Sequence, residues 1–326
     1  MAESKKERSR GTNGDRGKPC TPLDLGLDDT GFEARAISPL RELGAYEALW
    51  EDPATTFKTL SEKFAKRPGA VPSDFVPDEG RAWACAVFVQ ERFRQAQVDR
   101  FGVRVHGAGE YPEKLRDAAH PVELLYYQGW WDLVESPSVA VVGTRKPTSD
   151  GIARTKRLVK TLVKDGFTIV SGLAAGVDTV AHETAIAEKG RTIAVLGTPL
   201  SHVYPRRNAE LQRLIAKEFL LISQVPVKRY ERQDYRLNRL FFPERNITMS
   251  ALTYGTIIVE AGETSGTLIQ ARAAFEQGRK LFILDSAFRN ERLTWPRKFE
   301  EQGAIRVVDY DDISQHLPSP TVHANR

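Results

Sequence analysis

From residue 138 onward, short apolar β-branched runs alternate with amphipathic segments, and nothing else in the chain restricts its fold as strongly. The runs at Val139–Val142, Thr168–Val170, Thr192–Leu196, Leu220–Ile222, Thr256–Val259, Leu281–Leu284 and Ile305–Val308 have strand length. Between them, helical patterns are expected at 151–165, 178–189, 208–218, 245–253, 265–277 and 295–302, several stopping at Gly166, Gly190, Gly278 or Gly303. Strand and helix in strict alternation require crossover connections, and so a parallel sheet. The runs are apolar throughout rather than every second residue, which fits strands covered by helices on both faces. A doubly wound α/β domain over about 137–310 is the expectation.

The remainder has a different texture. Residues 1–19 are rich in Lys, Arg, Gly and Ser and are expected to be a disordered basic tail. Residues 20–105 read as a small, mostly helical region, clearest at Asp78–Val98, where acidic residues open an amphipathic stretch. Residues 311–326 read as a short helix and a tail.

Composition closes off several function classes. The longest unbroken apolar run is Ala82 to Val89, too short to span a bilayer, and no secretory signal is visible, so a cytoplasmic protein is expected. Cys20 and Cys85 make neither a disulfide framework nor a zinc site, and the six histidines lack ligand spacing, so no metal is expected. The formal net charge is only +4, yet residues 21–60 carry eight acidic and three basic residues, while 138–310 carry 27 basic and 18 acidic. Within the second segment, 206–245 has ten basic residues against five acidic ones. Positive charge concentrated on one domain points to a polyanionic partner.

Ligands of such sheets bind where the strands end and the next helices begin. No GxGxxG follows a strand and no GxxxxGK[ST] occurs, so neither a dinucleotide cofactor nor a Walker loop is expected. The first junction instead offers Gly143, Thr144, Arg145 and Lys146, a glycine turn followed by two cations. The second runs Ser171, Gly172, Leu173, Ala174, Ala175, Gly176, Val177, Asp178, small residues that leave backbone N–H groups open to a phosphate. Asp178 is placed to cap the next helix, with His182 on the same face. With no nucleophile beside them, a cap plus an oriented histidine is the simpler reading than acid–base catalysis. A third small-residue turn holds Ser265, Gly266 and Thr267 at a helix start. Finally, Arg206 and Arg207, then Lys228–Asn246, interleave cations with Tyr230, Tyr235, Phe241 and Phe242. That pattern suits a single strand whose backbone needs cations and whose bases stack, although the two phenylalanines equally suit a core.

In order along the chain, these junctions resemble the DprA/Smf family of DNA-processing proteins. The motifs are Tyr111-Pro112-Glu113-Lys114-Leu115, Leu124–Gly129, VAVVGTR at 139–145, SGLAAGVDTVAH at 171–182, TIAVLG at 192–197, Tyr204-Pro205, Phe242–Asn246 and VEAGETSGTL at 259–268. The resemblance implies a Rossmann-like domain over 106–310 that binds single-stranded DNA without catalysis, self-associates as a homodimer, and loads a RecA-type recombinase. It assigns DNA contacts to Arg145, Arg245 and Asn246, with Ser171, Gly172 and Gly176 shaping the backbone cradle.

The chain departs from the family pattern in places. Ile247 replaces the second arginine of Arg-Asn-Arg, Gln224 stands in a usual Ser-Glu pair, and no winged-helix module is expected after 310. A sensor or antitoxin-like role with a dedicated protein partner, as in a mobile-element or phage-defence locus, is therefore an alternative. A nucleotide phosphoribohydrolase is a weaker one, because Gln270 occupies the position where that chemistry needs a glutamate.

Overall fold

The computed structural model describes residues 37–319 apart from 117 and 119. The expectations for the basic tail at 1–19, for residues 20–36 of the helical region and for the last residues of the C-terminal tail lie outside the described residues.

Nine strands form one sheet: β1 (Gly102–Val105), β2 (Leu124–Gly129), β3 (Ser138–Val142), β4 (Thr168–Ser171), β5 (Thr192–Leu196), β6 (Leu220–Ser223), β7 (Gly255–Ile258), β8 (Lys280–Leu284) and β9 (Ile305–Val307). Their order is β1-β2-β6-β5-β4-β3-β7-β8-β9. Strands β3 to β9 are mutually parallel, while β1 and β2 are antiparallel additions at the β6 edge. The chain winds from β3 outward to β6, then returns to the other side of β3 to lay down β7. The topological switch point is thus the seam between β3 and β7, where such sheets open a crevice at the strands' carboxyl ends.

The helices are α1 (Pro39–Leu49), α2 (Phe57–Ala65), α3 (Glu79–Gln95), α4 (Glu113–Arg116), α5 (Ser149–Lys164), α6 (Val177–Ala187) and α7 (Ala209–Glu218). They continue with α8 (Val227–Arg232), α9 (Tyr235–Asn238), α10 (Phe241–Ala251), α11 (Thr267–Glu276), α12 (Asp285–Phe288), α13 (Trp295–Glu301) and α14 (Asp311–Ser314). Strand β3 shows why its run is apolar throughout. Val139 and Val141 join one buried cluster with Leu158 and Leu162 of α5, while Ala140 and Val142 join the other with Met249 of α10 and Leu268 of α11.

The seven strands expected from the apolar runs are present, each within one residue of its expected ends. Strands β1 and β2 were not expected. β1 is four residues long, too short for its alternation to stand out. Helix α10 begins at Phe241, four residues before the expected start at 245, because Pro243 falls in its first turn, where its missing N–H has no intrahelical partner to lose.

The helices of residues 37–95 pack on this sheet through a buried carboxylate. Glu47 of α1 accepts hydrogen bonds from Tyr126 Oη at 2.5 Å, Val227 N at 2.7 Å and Lys228 N at 2.9 Å. Burial raises its pKa, and the three donors oppose that shift. Tyr46 beside it donates to the carbonyl of Gln224 at 3.0 Å.

Candidate functional site

The two loops flanking the switch point are tied together by a residue to which the sequence reading gave no role. Glu260, two residues after β7, accepts from Thr148 Oγ1 at 2.8 Å and lies 3.7 Å from Arg154 of α5. Its carbonyl takes the Thr144 N–H at 2.7 Å, and Thr148 in turn caps α5 by accepting from Gly151 N at 3.0 Å. A charged residue two positions beyond a strand at the switch point is the signal that marks it. With the loop so anchored, Arg145 and Lys146 project into solvent. The Arg145 guanidinium lies over two rings, 5.9 Å from the centroid of Tyr204 and 5.8 Å from that of Phe242.

The loop after β4 is braced from inside. Ser171 is buried and donates to the Val141 carbonyl at 2.7 Å, so its hydroxyl serves the sheet. Asp178 was expected to cap α6; instead its Oδ2 accepts from Gly172 N at 3.2 Å and Ala174 N at 3.4 Å, bracing the loop before the helix. Burial raises its pKa, opposed by nearby Arg245. Gly176 is the residue before α6 and has φ +85; a Cβ there would lie 2.4 Å from the Thr144 carbonyl oxygen, so this glycine lets two loops touch. His182 is fully buried, with Nδ1 2.7 Å from Thr192 Oγ1, and burial lowers its pKa to about 3. It is a neutral core histidine.

Arg245 is 4% exposed. Its Nη1 donates to the carbonyls of Gly172 and of Val195, the latter at 2.7 Å, and burial lowers its pKa to about 10. A Cβ on Gly172 would collide with this guanidinium at 2.2 Å. Asn246 accepts from Arg245 Nε at 2.9 Å and donates to the Gly266 carbonyl at 3.1 Å, joining α10 to the third loop. There Ser265 Oγ accepts from Thr267 N at 3.2 Å, and Gly266 has open space where a side chain would stand.

These pieces enclose a cavity of about 440 Å³ at the switch point. Gly143, Thr144, Arg145 and Lys146 form one wall, Ser265, Gly266 and Thr267 another, with Ala174, Asp178, Arg245, Asn246 and Phe242 between them. Ser171, Gly172, Gly176 and His182 stand behind the wall, and Arg206 and Arg207 project from a separate 3₁₀ turn at Arg206–Asn208. Phe241 is core, edge-to-face with Trp50 and Phe57, whereas Phe242 is half-buried and lies between Arg145 and Arg245. Gln270 closes the floor, buried and donating to Thr256 Oγ1 at 3.1 Å. Among the described residues no cluster of His, Cys, Asp and Glu is arranged to hold a metal ion, and no helix is long and apolar enough to cross a membrane.

The sequence model of DNA recombination-mediator protein A matches residues 102–318, more than half of the chain. The chain belongs to the DprA/Smf family. It is 35% identical to the DNA processing protein DprA of Bacillus subtilis over 214 residues, 65% of this chain and 70% of that one. It is 43% identical to Protein Smf of Synechocystis over 203 residues, 61% of this chain and 48% of the relative, so that match spans about half of the relative's length. Among solved DprA structures, that of Streptococcus pneumoniae superposes with a TM-score of 0.66 at 26% identity, covering 87% of this chain and 99% of the other. That of Helicobacter pylori, described as showing a unique single-stranded DNA binding mode, superposes at 0.54 with 29% identity, covering 64% of this chain and 92% of the other. The DprA/Smf assignment and the Rossmann-like α/β fold expected from the sequence are both found.

Proposed function

We propose that this DprA/Smf protein binds single-stranded DNA at the switch-point cavity, without chemistry on it, and as a homodimer hands the strand to a RecA-type recombinase. The observation that carries the reading is Arg145: exposed, outside any salt bridge among the described residues, and lying over Tyr204 and Phe242 at the cavity mouth. A cation beside open aromatic faces suits a polymer that alternates phosphates with unpaired bases. Lys146 adds a second cation, and Gly266 leaves room for a backbone phosphate at the start of α11. Arg245 acts from behind, holding the ends of β4 and β5 in place. A hydrolytic reading finds little support, since the carboxylate lining the cavity, Asp178, already braces its own loop, and Gln270 is a neutral amide.

The test is binding of labelled single strands and of the corresponding duplex across a salt series. Preference for the single strand, with affinity falling steeply as salt rises, is expected; equal binding of both forms overturns the reading. Recombinase filament assembly on single strands, with and without the protein, tests the hand-over.

A further inference from the structure

The stretch 206–245 carries ten cations, and six of them have an acidic or carbonyl partner within the fold. Arg213 pairs with Glu210, Lys217 with Glu218 at 3.0 Å, and Lys228 and Arg232 with Glu51. Arg229 donates to the carbonyls of Asp52 and Pro53, both at 3.0 Å, and Arg245 to those described above. Four are left without an acidic or carbonyl partner among the described residues: Arg206, Arg207, Arg236 and Arg239. They are not scattered. The loop carrying Arg206 and Arg207 packs by His202 on Tyr230, 4.8 Å between ring centroids, and by Tyr204 on Phe242 at 5.4 Å. Arg236 and Arg239 lie in and just after α9, which is held to that same wall by Asn238 Nδ2 donating to the Tyr230 carbonyl at 2.9 Å.

Between the last two arginines stands Tyr235, 60% exposed, with guanidinium carbons 5.8 Å and 5.4 Å from its ring centroid. Tyr204, 47% exposed, stands on the cavity side of the same corner beneath Arg145. The two unpaired guanidinium groups around the open ring of Tyr235 repeat the chemistry of the cavity mouth, where Arg145 lies over Tyr204. The cations between Arg207 and Arg236 in sequence, Arg213 to Arg232, all have partners, so the unpaired ones mark a path rather than a generally basic segment.

We propose that the single strand leaves the cavity over Tyr204 and continues across α9, with a base stacked on Tyr235 and its phosphates on Arg236, Arg239, Arg206 and Arg207. This rests on the reading that the cavity binds single-stranded DNA. It adds a second, separate platform, so occupancy depends on strand length.

Oligothymidylates of graded length, from about 4 to about 16 nucleotides, test it by fluorescence anisotropy with wild type, Tyr235→Ala, Tyr235→Phe and the double variant R236Q/R239Q. Affinity of wild type is expected to rise with length. Tyr235→Ala is expected to lose about 5- to 150-fold on the longest strand and nothing on the shortest, while Tyr235→Phe keeps wild-type affinity. The double variant is expected to flatten the salt dependence for long strands by about 1.4 in log–log slope, two phosphate contacts' worth. If these variants match wild type at every length while Arg145→Ala weakens binding, the path is overturned and the cavity reading stands. If wild type binds no oligothymidylate, the cavity reading falls and takes the path with it.

Discussion

Arg245 Nη1 donates to the carbonyl oxygen of Val195 at 2.7 Å, fastening α10 to the carboxyl end of β5. The same nitrogen serves the Gly172 carbonyl at the end of β4, and the charge faces buried Asp178. An arginine with its donors on strand-end carbonyls, beneath the surface, fixes the geometry of the cavity from behind.

Replacing it therefore strikes the fold first. Arg245→Met leaves two carbonyls without their donor and Asp178 buried without its neighbouring cation, and is expected to cost about 3–5 kcal/mol. Arg245→Lys keeps the charge but lacks the guanidinium's several fixed donors, and should fall between. Urea unfolding of the three proteins measures this. A change below about 1 kcal/mol for Arg245→Met means that the guanidinium is not part of the framework.

Two glycines on the loops separate fold from function. Gly176→Ala forces a side chain onto φ +85 and to within 2.4 Å of the Thr144 carbonyl oxygen. A loss of about 1–3 kcal/mol is expected. Gly266 has φ −60 and open space around it, so Gly266→Ala should stay within about 0.5 kcal/mol of wild type in thermal melts. The added methyl group then fills the space proposed for a phosphate and should weaken single-strand binding in a protein of normal stability. Equal destabilisation by both substitutions contradicts this division.

The strand ends were legible because an apolar strand buried on both faces writes its length directly into the sequence, as Thr192–Leu196 does. The cations were legible as a local excess, but their roles were not. Arg145 and Arg245 are the same residue type, one on the loop after β3 and one in α10, and only the packing of Phe242 between them separates the exposed one from the buried one. The Asp178–His182 spacing predicts a cap plus an oriented histidine. The aspartate turned out to face backward to its own loop, because the residue before the helix is Gly176 at positive φ. Glu260 went unread because its partner, Thr148, lies 112 residues away in sequence.

His182 makes acid stability predictable. Burial lowers its folded pKa to about 3, against an unfolded value near 6.5, so the native state binds fewer protons than the unfolded chain between these limits. Its contribution to stability is present above the unfolded pKa and is lost as pH falls through the folded one. The slope within the window is about 1.4 kcal/mol per pH unit. Urea midpoints at pH 7 and pH 5 should fall more for wild type than for His182→Gln, whose side chain cannot take up the proton. Parallel falls in the two proteins place the acid sensitivity elsewhere.

Arg145 gives the cleanest separation of binding from folding. Its guanidinium is exposed and makes no hydrogen bond or salt bridge among the described residues, so Arg145→Ala should leave the melting temperature unchanged. On the proposed role it contacts a phosphate, and phosphate contacts carry no sequence information. The variant should therefore weaken single-strand binding by a similar factor on homopolymers of different base. It should also reduce the magnitude of the slope of log affinity against log salt by about 0.7, the release associated with one contact on a single strand. Loss of binding confined to one base would instead assign Arg145 to a base edge, and an unchanged salt slope would remove it from the interface.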